Sequence, residues 1–220
     1  SAYWFFETAD KTVITGNHEI NDKYDRAKAA AYALTYARTP NPAYKNFGDK
    51  DCTNFVSQCL VAGGIAQVPL DAKTLETDKQ DPRNWFYVKD LPDWYSQSFT
   101  SASVFNQHFG QQYKYAFQTI EYSSGPAALA DIDFLLFYLK KGDVIQLKAK
   151  DNVHWGHSMI IYSQDFTCNG KHKGTEHCPY SGKKEMLYAQ HSDPYDQGHL
   201  RKLLKETPGA VIFTKIKNDV

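Results

Sequence analysis

The residues in this sequence best suited to covalent chemistry are a thiol, Cys52, and a small set of imidazoles, His154, His157 and His191. A thiol beside an imidazole can attack a carbonyl carbon, because the ring takes the thiol proton and a third polar group holds the ring in one tautomer. Cys52 stands in Asp51-Cys52-Thr53-Asn54-Phe55-Val56-Ser57-Gln58-Cys59-Leu60, closed by Gly63-Gly64. Asp51 is a good N-cap and either glycine a good C-terminal stop. Cys52, Phe55, Val56, Cys59 and Leu60 recur at steps of three and four, so they share one helix face that must be buried. Cys52 sits at its leading edge, where the helix dipole and unpaired N–H groups favour a thiolate. Asp51 opposes this, since a neighbouring carboxylate disfavours a second negative charge. The same pattern also fits a small buried apolar cysteine.

The imidazoles fall in a strand-rich half. Alternating apolar residues predict strands over 144–148, 157–162, 184–192 and 210–216. Along the second strand His157, Met159 and Ile161 share a face, which their apolar partners place on the core. Along the third, Leu187, Ala189, His191 and Asp193 share a face if the strand runs that far. A hairpin between these two strands would bring His191 or Asp193 beside His157, giving base and orienting group together. His154, on the preceding loop, is the alternative base. A satisfied structural histidine is the competing reading of His157.

The other elements must position this set. Residues 3–20, with Tyr3-Trp4-Phe5-Phe6, read as an extended arm packing aromatics onto the body. Asn21 or Asp22 caps a helix through Tyr24, Ala27, Ala31 and Leu34 that ends before Pro40. Residues 65–125 are polar and aromatic and predict loops and short helices, for example 101–109, and 127–140 reads as a helix. Helices first and an antiparallel sheet later make an α+β fold. We expect a single catalytic domain over 1–220: an arm (1–21), a helical part with the nucleophile (22–64), aromatic-rich loops and short helices (65–140) and the sheet (141–220).

Composition narrows the classes. The hydrophobic fraction of 42% supports a substantial core. Lys plus Arg balance Asp plus Glu at 25 each with no like-charge block, which gives no electrostatic footprint for nucleic acid. No apolar run approaches the roughly 18 residues of a membrane span, and no charged-then-apolar leader opens the chain. Cys168 and Cys178 bracket a polar loop containing His172 and His177. A disulfide, free thiols or a zinc site would each fit there, although the spacing matches no standard zinc pattern. We expect no cofactor and no metal.

These stretches resemble a known family. Tyr24-Asp25-Arg26-Ala27, Asn41-Pro42-Ala43-Tyr44, the Asp51–Gln58 segment, Gly63-Gly64, Trp85, Trp94-Tyr95, Lys141-Gly142-Asp143-Val144-Ile145, Gly156-His157-Ser158 and Gln190-His191-Ser192-Asp193 are similar, in this order, to the putative amidase domain family, a bacterial group related to papain-like cell-wall endopeptidases. The resemblance implies a papain-like cysteine hydrolase core, with the nucleophile helix packed on an antiparallel sheet. It implies Cys52 as nucleophile, His157 as base and later acid, and His191 as third member with Asp193 in reserve. Tyr44 falls where the relatives place an oxyanion-stabilising tyrosine. The implied activity is cysteine-dependent amide or peptide hydrolysis through a thioester, on a bacterial cell-wall peptide, by a secreted or cell-envelope enzyme. A secreted protease or deamidase effector acting on another protein, or a catalytically silent glycan- or peptide-binding module, are the alternatives.

Overall fold

The computed structural model describes residues 10–16, 19–72, 77–149, 151, 153–168, 182–193 and 195–219. Its frame is a seven-stranded antiparallel sheet: β1 (Thr12–Thr15), β2 (Gln118–Tyr122), β3 (Val144–Lys148), β4 (Trp155–Thr167), β5 (Lys184–Ala189), β6 (Gly198–His199) and β7 (Val211–Lys215). The spatial order is β1-β2-β7-β3-β4-β5-β6, so the last strand lies inside the sheet. Its sequence explains this: Val211-Ile212-Phe213-Thr214-Lys215 is buried throughout, as a strand covered on both faces must be.

Helices pack on one face of the sheet. In α1 (Arg26–Tyr36) the Asp25 carboxylate caps the first turn, accepting from the Lys28 N–H at 3.0 Å. Ala29, Ala30 and Ala33 are buried, and their small side chains let α1 lie close to α2 (Cys52–Ala62). Phe55, Val56, Cys59 and Leu60 of α2 join Val144, Ile160, Leu187 and Ala189 in one apolar cluster. A second cluster on the opposite face packs Ile145, Met159, Ile161 and Phe213 against α5 (Gly125–Ala130), α6 (Ile132–Tyr138) and α7 (Leu200–Glu206). The guanidinium of Arg26 fastens α1 to the sheet, bonding Asp143 at 2.7 Å and Asp219 at 2.6 Å while almost wholly buried.

The α+β reading holds, and several boundaries change. The stretch expected as a helix over 127–140 is two helices broken at Asp131, whose carboxylate takes the Lys11 ammonium at 2.7 Å and the Tyr122 hydroxyl at 2.5 Å. The 101–109 segment is α4 (Ala102–Asn106), preceded by a single-turn α3 (Gln97–Thr100) and followed by a π-helical turn, Gln107–Gln111. The 65–140 segment also contributes strand β2, and 141–220 contains α7 as well as sheet. The arm provides edge strand β1, while its aromatic residues 3–6 lie outside the described residues. The third predicted strand stops at Ala189, three residues short of 192.

Candidate active site

Cys52 opens α2, and its backbone N–H is one of the helix N-terminal donors with no intrahelical acceptor, since the first helical bond runs from Phe55 N–H to Asp51 C=O at 3.0 Å. Asp51 occupies the N-cap position without capping. Its buried carboxylate instead accepts from the Phe47 N–H and the Asn54 side-chain amide, both at 3.0 Å, and contacts His191.

β4 brings His157 to this helix end. The ladder between β3 and β4 shifts register at Leu147/Lys148, next to the His157 pair, so regular alternation does not extend to the strand's start. Met159 and Ile161 pack on the far face as the pattern requires. The His157 ring instead turns to the Cys52 side, near enough that imidazole and thiol favour each other's charged forms, and Ser158 also reaches α2, its hydroxyl 2.8 Å from that of Thr53. The other side of the imidazole belongs to Gln190: His157 Nε2 donates to Gln190 Oε1 at 2.5 Å. The Gln190 amide is itself oriented, since its Nε2 donates to the Asp193 carbonyl at 3.0 Å. Nδ1 of His157 is then the nitrogen left for the thiol.

The electrostatics follow from these bonds. Burial pushes the Cys52 thiol up, but the His157 ring, the Ser158 N–H and the Thr53 hydroxyl outweigh it and hold the thiol below its ordinary value. Burial also disfavours a charged His157, yet its bond to Cys52, the charge there and the Gln190 oxygen raise it above the ordinary imidazole range. Both shifts favour a thiolate–imidazolium pair.

The other site candidates fall elsewhere. His191 lies beyond the end of β5, where face alternation no longer applies. Its Nε2 donates to the Tyr36 carbonyl at 2.8 Å, its Nδ1 bonds Asp51, and its ring stacks on Phe55 at 4.0 Å. With both nitrogens engaged it has none to offer His157, so Gln190 holds the ring where His191 was expected. Asp193 contributes its carbonyl to Gln190, and its side chain is exposed. His154 forms an exposed pair with Asp151 at 2.7 Å. Tyr44 packs against Tyr87 and Phe99 and lines a cavity of about 310 Å³ with Val61, Gln67 and Pro69. The next residue, Lys45, offers its carbonyl to the Asn54 side-chain amide on the first turn of α2 at 2.9 Å. Gln190 was the residue missed, and its signal was an amide directly before His191, just past a strand end.

A family model described as a putative amidase domain matches residues 23–213, which contain all of these groups. The chain belongs to this family. Two relatives from Bacillus subtilis (strain 168) also match. The uncharacterized protein YhbB is 60% identical over 42 residues, 19% of this chain and 13% of that protein. The uncharacterized protein YjcM is 45% identical over 58 residues, 26% of this chain and 14% of its own length. The chain thus spans a small part of either relative. No solved structure matches it.

The amidase domain has a further covalent feature. Cys168, at the end of β4, is disulfide-bonded, whereas Cys52 and Cys59 are free. A sulfur in a disulfide is no zinc ligand, so the zinc reading of this loop loses its first donor. His172, His177 and Cys178 lie outside the described residues. Among the described residues no group of His, Cys, Asp or Glu is arranged to hold a metal ion.

Proposed function

We propose that this amidase domain is a cysteine amidohydrolase of papain-like architecture that cleaves an amide or peptide bond through a thioester acyl-enzyme. The observation that carries the reading is the imidazole of His157, set beside Cys52 so that each favours the other's charged form, and hydrogen-bonded to Gln190 on its other side. Cys52 attacks the carbonyl carbon as thiolate, and the C–S bond forms as the carbonyl oxygen becomes an oxyanion. The free N–H of Cys52 at the helix end is a donor for that oxygen. The His157 imidazolium gives its proton to the leaving nitrogen, the C–N bond breaks and a thioester remains. The now neutral His157 takes a proton from water, the hydroxide displaces the thiolate, and the carboxylic acid leaves. Gln190 keeps Nε2 protonated and the ring in plane throughout.

A bacterial cell-wall peptide is the substrate class we propose. The disulfide at Cys168 supports an oxidising location such as the cell envelope. The deciding experiment is mass spectrometry of products from purified peptidoglycan and from a generic protein substrate, with wild type and Cys52→Ala. New amine and carboxyl ends from peptidoglycan, absent with Cys52→Ala, support the reading. Unchanged hydrolysis by Cys52→Ala removes the nucleophile, and cleavage of the protein substrate alone moves the target to the effector reading.

A further inference from the structure

A chain of buried polar side chains runs from the core to the sulfur, and its hydrogens can be placed by counting donors. Gln146, on β3, has its Nε2 at 2.9 Å from the Ala102 carbonyl and 3.0 Å from the Ser158 hydroxyl. A carbonyl only accepts, so the nitrogen faces Ala102 and the amide cannot be reversed. Its oxygen in turn takes the Asn106 amide at 3.3 Å. The second hydrogen on Nε2 therefore goes to Ser158 Oγ. Ser158 is fully buried, and its one hydroxyl hydrogen has Thr53 Oγ1 at 2.8 Å as acceptor. If Thr53 donated in that contact instead, the Ser158 hydrogen would have no acceptor among the described residues. The Thr53 hydrogen is then left for Cys52 Sγ, at 3.8 Å. Each bond runs in one direction, from the Gln146 amide to the thiolate.

We propose that Gln146 is a positioning residue for Cys52, acting through Ser158 and Thr53 to aim the Thr53 hydroxyl hydrogen at the sulfur and hold it as a thiolate. The proposal rests on Cys52 being the nucleophile. It adds to that reading a device three side chains deep, none of which touches substrate except through the sulfur. Gln146 and Ser158 are wholly buried polar residues paired across the adjacent strands β3 and β4. Such groups are costly unless satisfied, and here the satisfied pattern ends on the reacting atom.

The test reads the thiol directly. Iodoacetamide alkylation of the full chain is followed against pH by peptide mass spectrometry at Cys52, which separates it from Cys59. Thr53→Val and Gln146→Met are each expected to move the alkylation midpoint up by about one pH unit, roughly a tenfold loss of rate on the acid side. The rate at high pH should stay unchanged, and Thr53→Ser should restore the midpoint. In the Thr53→Val background, Gln146→Met should add nothing, because the link through which it acts is already cut. Ser158→Ala takes the place of Gln146→Met in the same cycle if that variant fails to fold by circular dichroism. A midpoint unmoved in a folded Thr53→Val, or shifts that simply add in the double variant, overturns the proposal. Those readouts need no hydrolysis, so they are separable from the parent reading, which fails only if Cys52→Ala keeps activity.

Discussion

His157 Nε2 and Gln190 Oε1 lie 2.5 Å apart, and this contact decides which nitrogen of the imidazole serves the thiol. The Asp193 carbonyl fixes the amide on its other side, so the ring can present only Nδ1 to Cys52. A hydrogen bond to a charged group contributes about 1.5–3 kcal/mol. Gln190→Ala should therefore lower kcat by about 10- to 100-fold at 1.4 kcal/mol per decade, with KM little changed. Steady-state kinetics on a cleaved peptide check this, and an unaltered kcat would remove Gln190 from the site.

Asp51 and His191 should behave as a structural couple. The Tyr36 carbonyl takes the hydrogen on Nε2, and Nδ1 bonds the Asp51 carboxylate, so the two side chains form one buried polar pair. Removing one partner of such a pair costs about 3–5 kcal/mol. Asp51→Asn and His191→Leu should each destabilise on that scale in urea, and the double variant should cost well below the sum. Additive losses would show that the two do not act as a pair.

The pH profile of kcat/KM should be bell-shaped. The reactive state needs Cys52 ionised and His157 protonated. With the thiol held low and the imidazole held high, the acid limb reports loss of the thiolate and the alkaline limb loss of the imidazolium. Gln190→Ala removes one support of the charged ring, so its alkaline limb should move to lower pH. A limb that does not move would dissociate Gln190 from the ring's titration.

Glu185 gives a stability prediction of opposite sign to the usual carboxylate. Burial raises it to about 7 from its ordinary 4.5, although it accepts from the Met186 and Arg201 N–H groups. Between these values the native state binds more protons than the unfolded chain, so stability falls as pH rises from 4.5 through 7. Glu185→Gln removes that loss, and relative to wild type it should gain roughly 3 kcal/mol between pH 4 and pH 8, at 1.36 kcal/mol per unit. Parallel wild-type and variant curves across this range would refute it.

The helix that Cys52 opens was legible because Cys52, Phe55, Val56, Cys59 and Leu60 repeat at helical spacing and Gly63 and Gly64 stop it. Strands β3, β4 and β5 announced themselves by apolar runs. The third site member was not legible from periodicity. Alternation selects His191 only if the strand continues, and it ends at Ala189, where backbone geometry frees Gln190 to turn toward His157. The ring contacts of Tyr44 with Tyr87 and Phe99 join segments more than forty residues apart and could not be read from periodicity. In the Gln146–Ser158–Thr53 chain the register of β3 against β4 pairs the first two, and the packing of α2 on β4 brings in Thr53, 105 positions from Ser158 in sequence.

The place of β7 between β2 and β3 has a consequence for how the molecule is made on the ribosome. Until residues 211–215 emerge, β2 and β3 each present a bare edge, and the sheet is two pieces rather than one. The sulfur, synthesised far earlier, lacks its imidazole until residue 157 appears and its amide brace until residue 190. On the function proposed above, a nascent chain carries an unarmed thiol until residue 190 has emerged, and β7 then joins the two parts of the sheet on which the site is held.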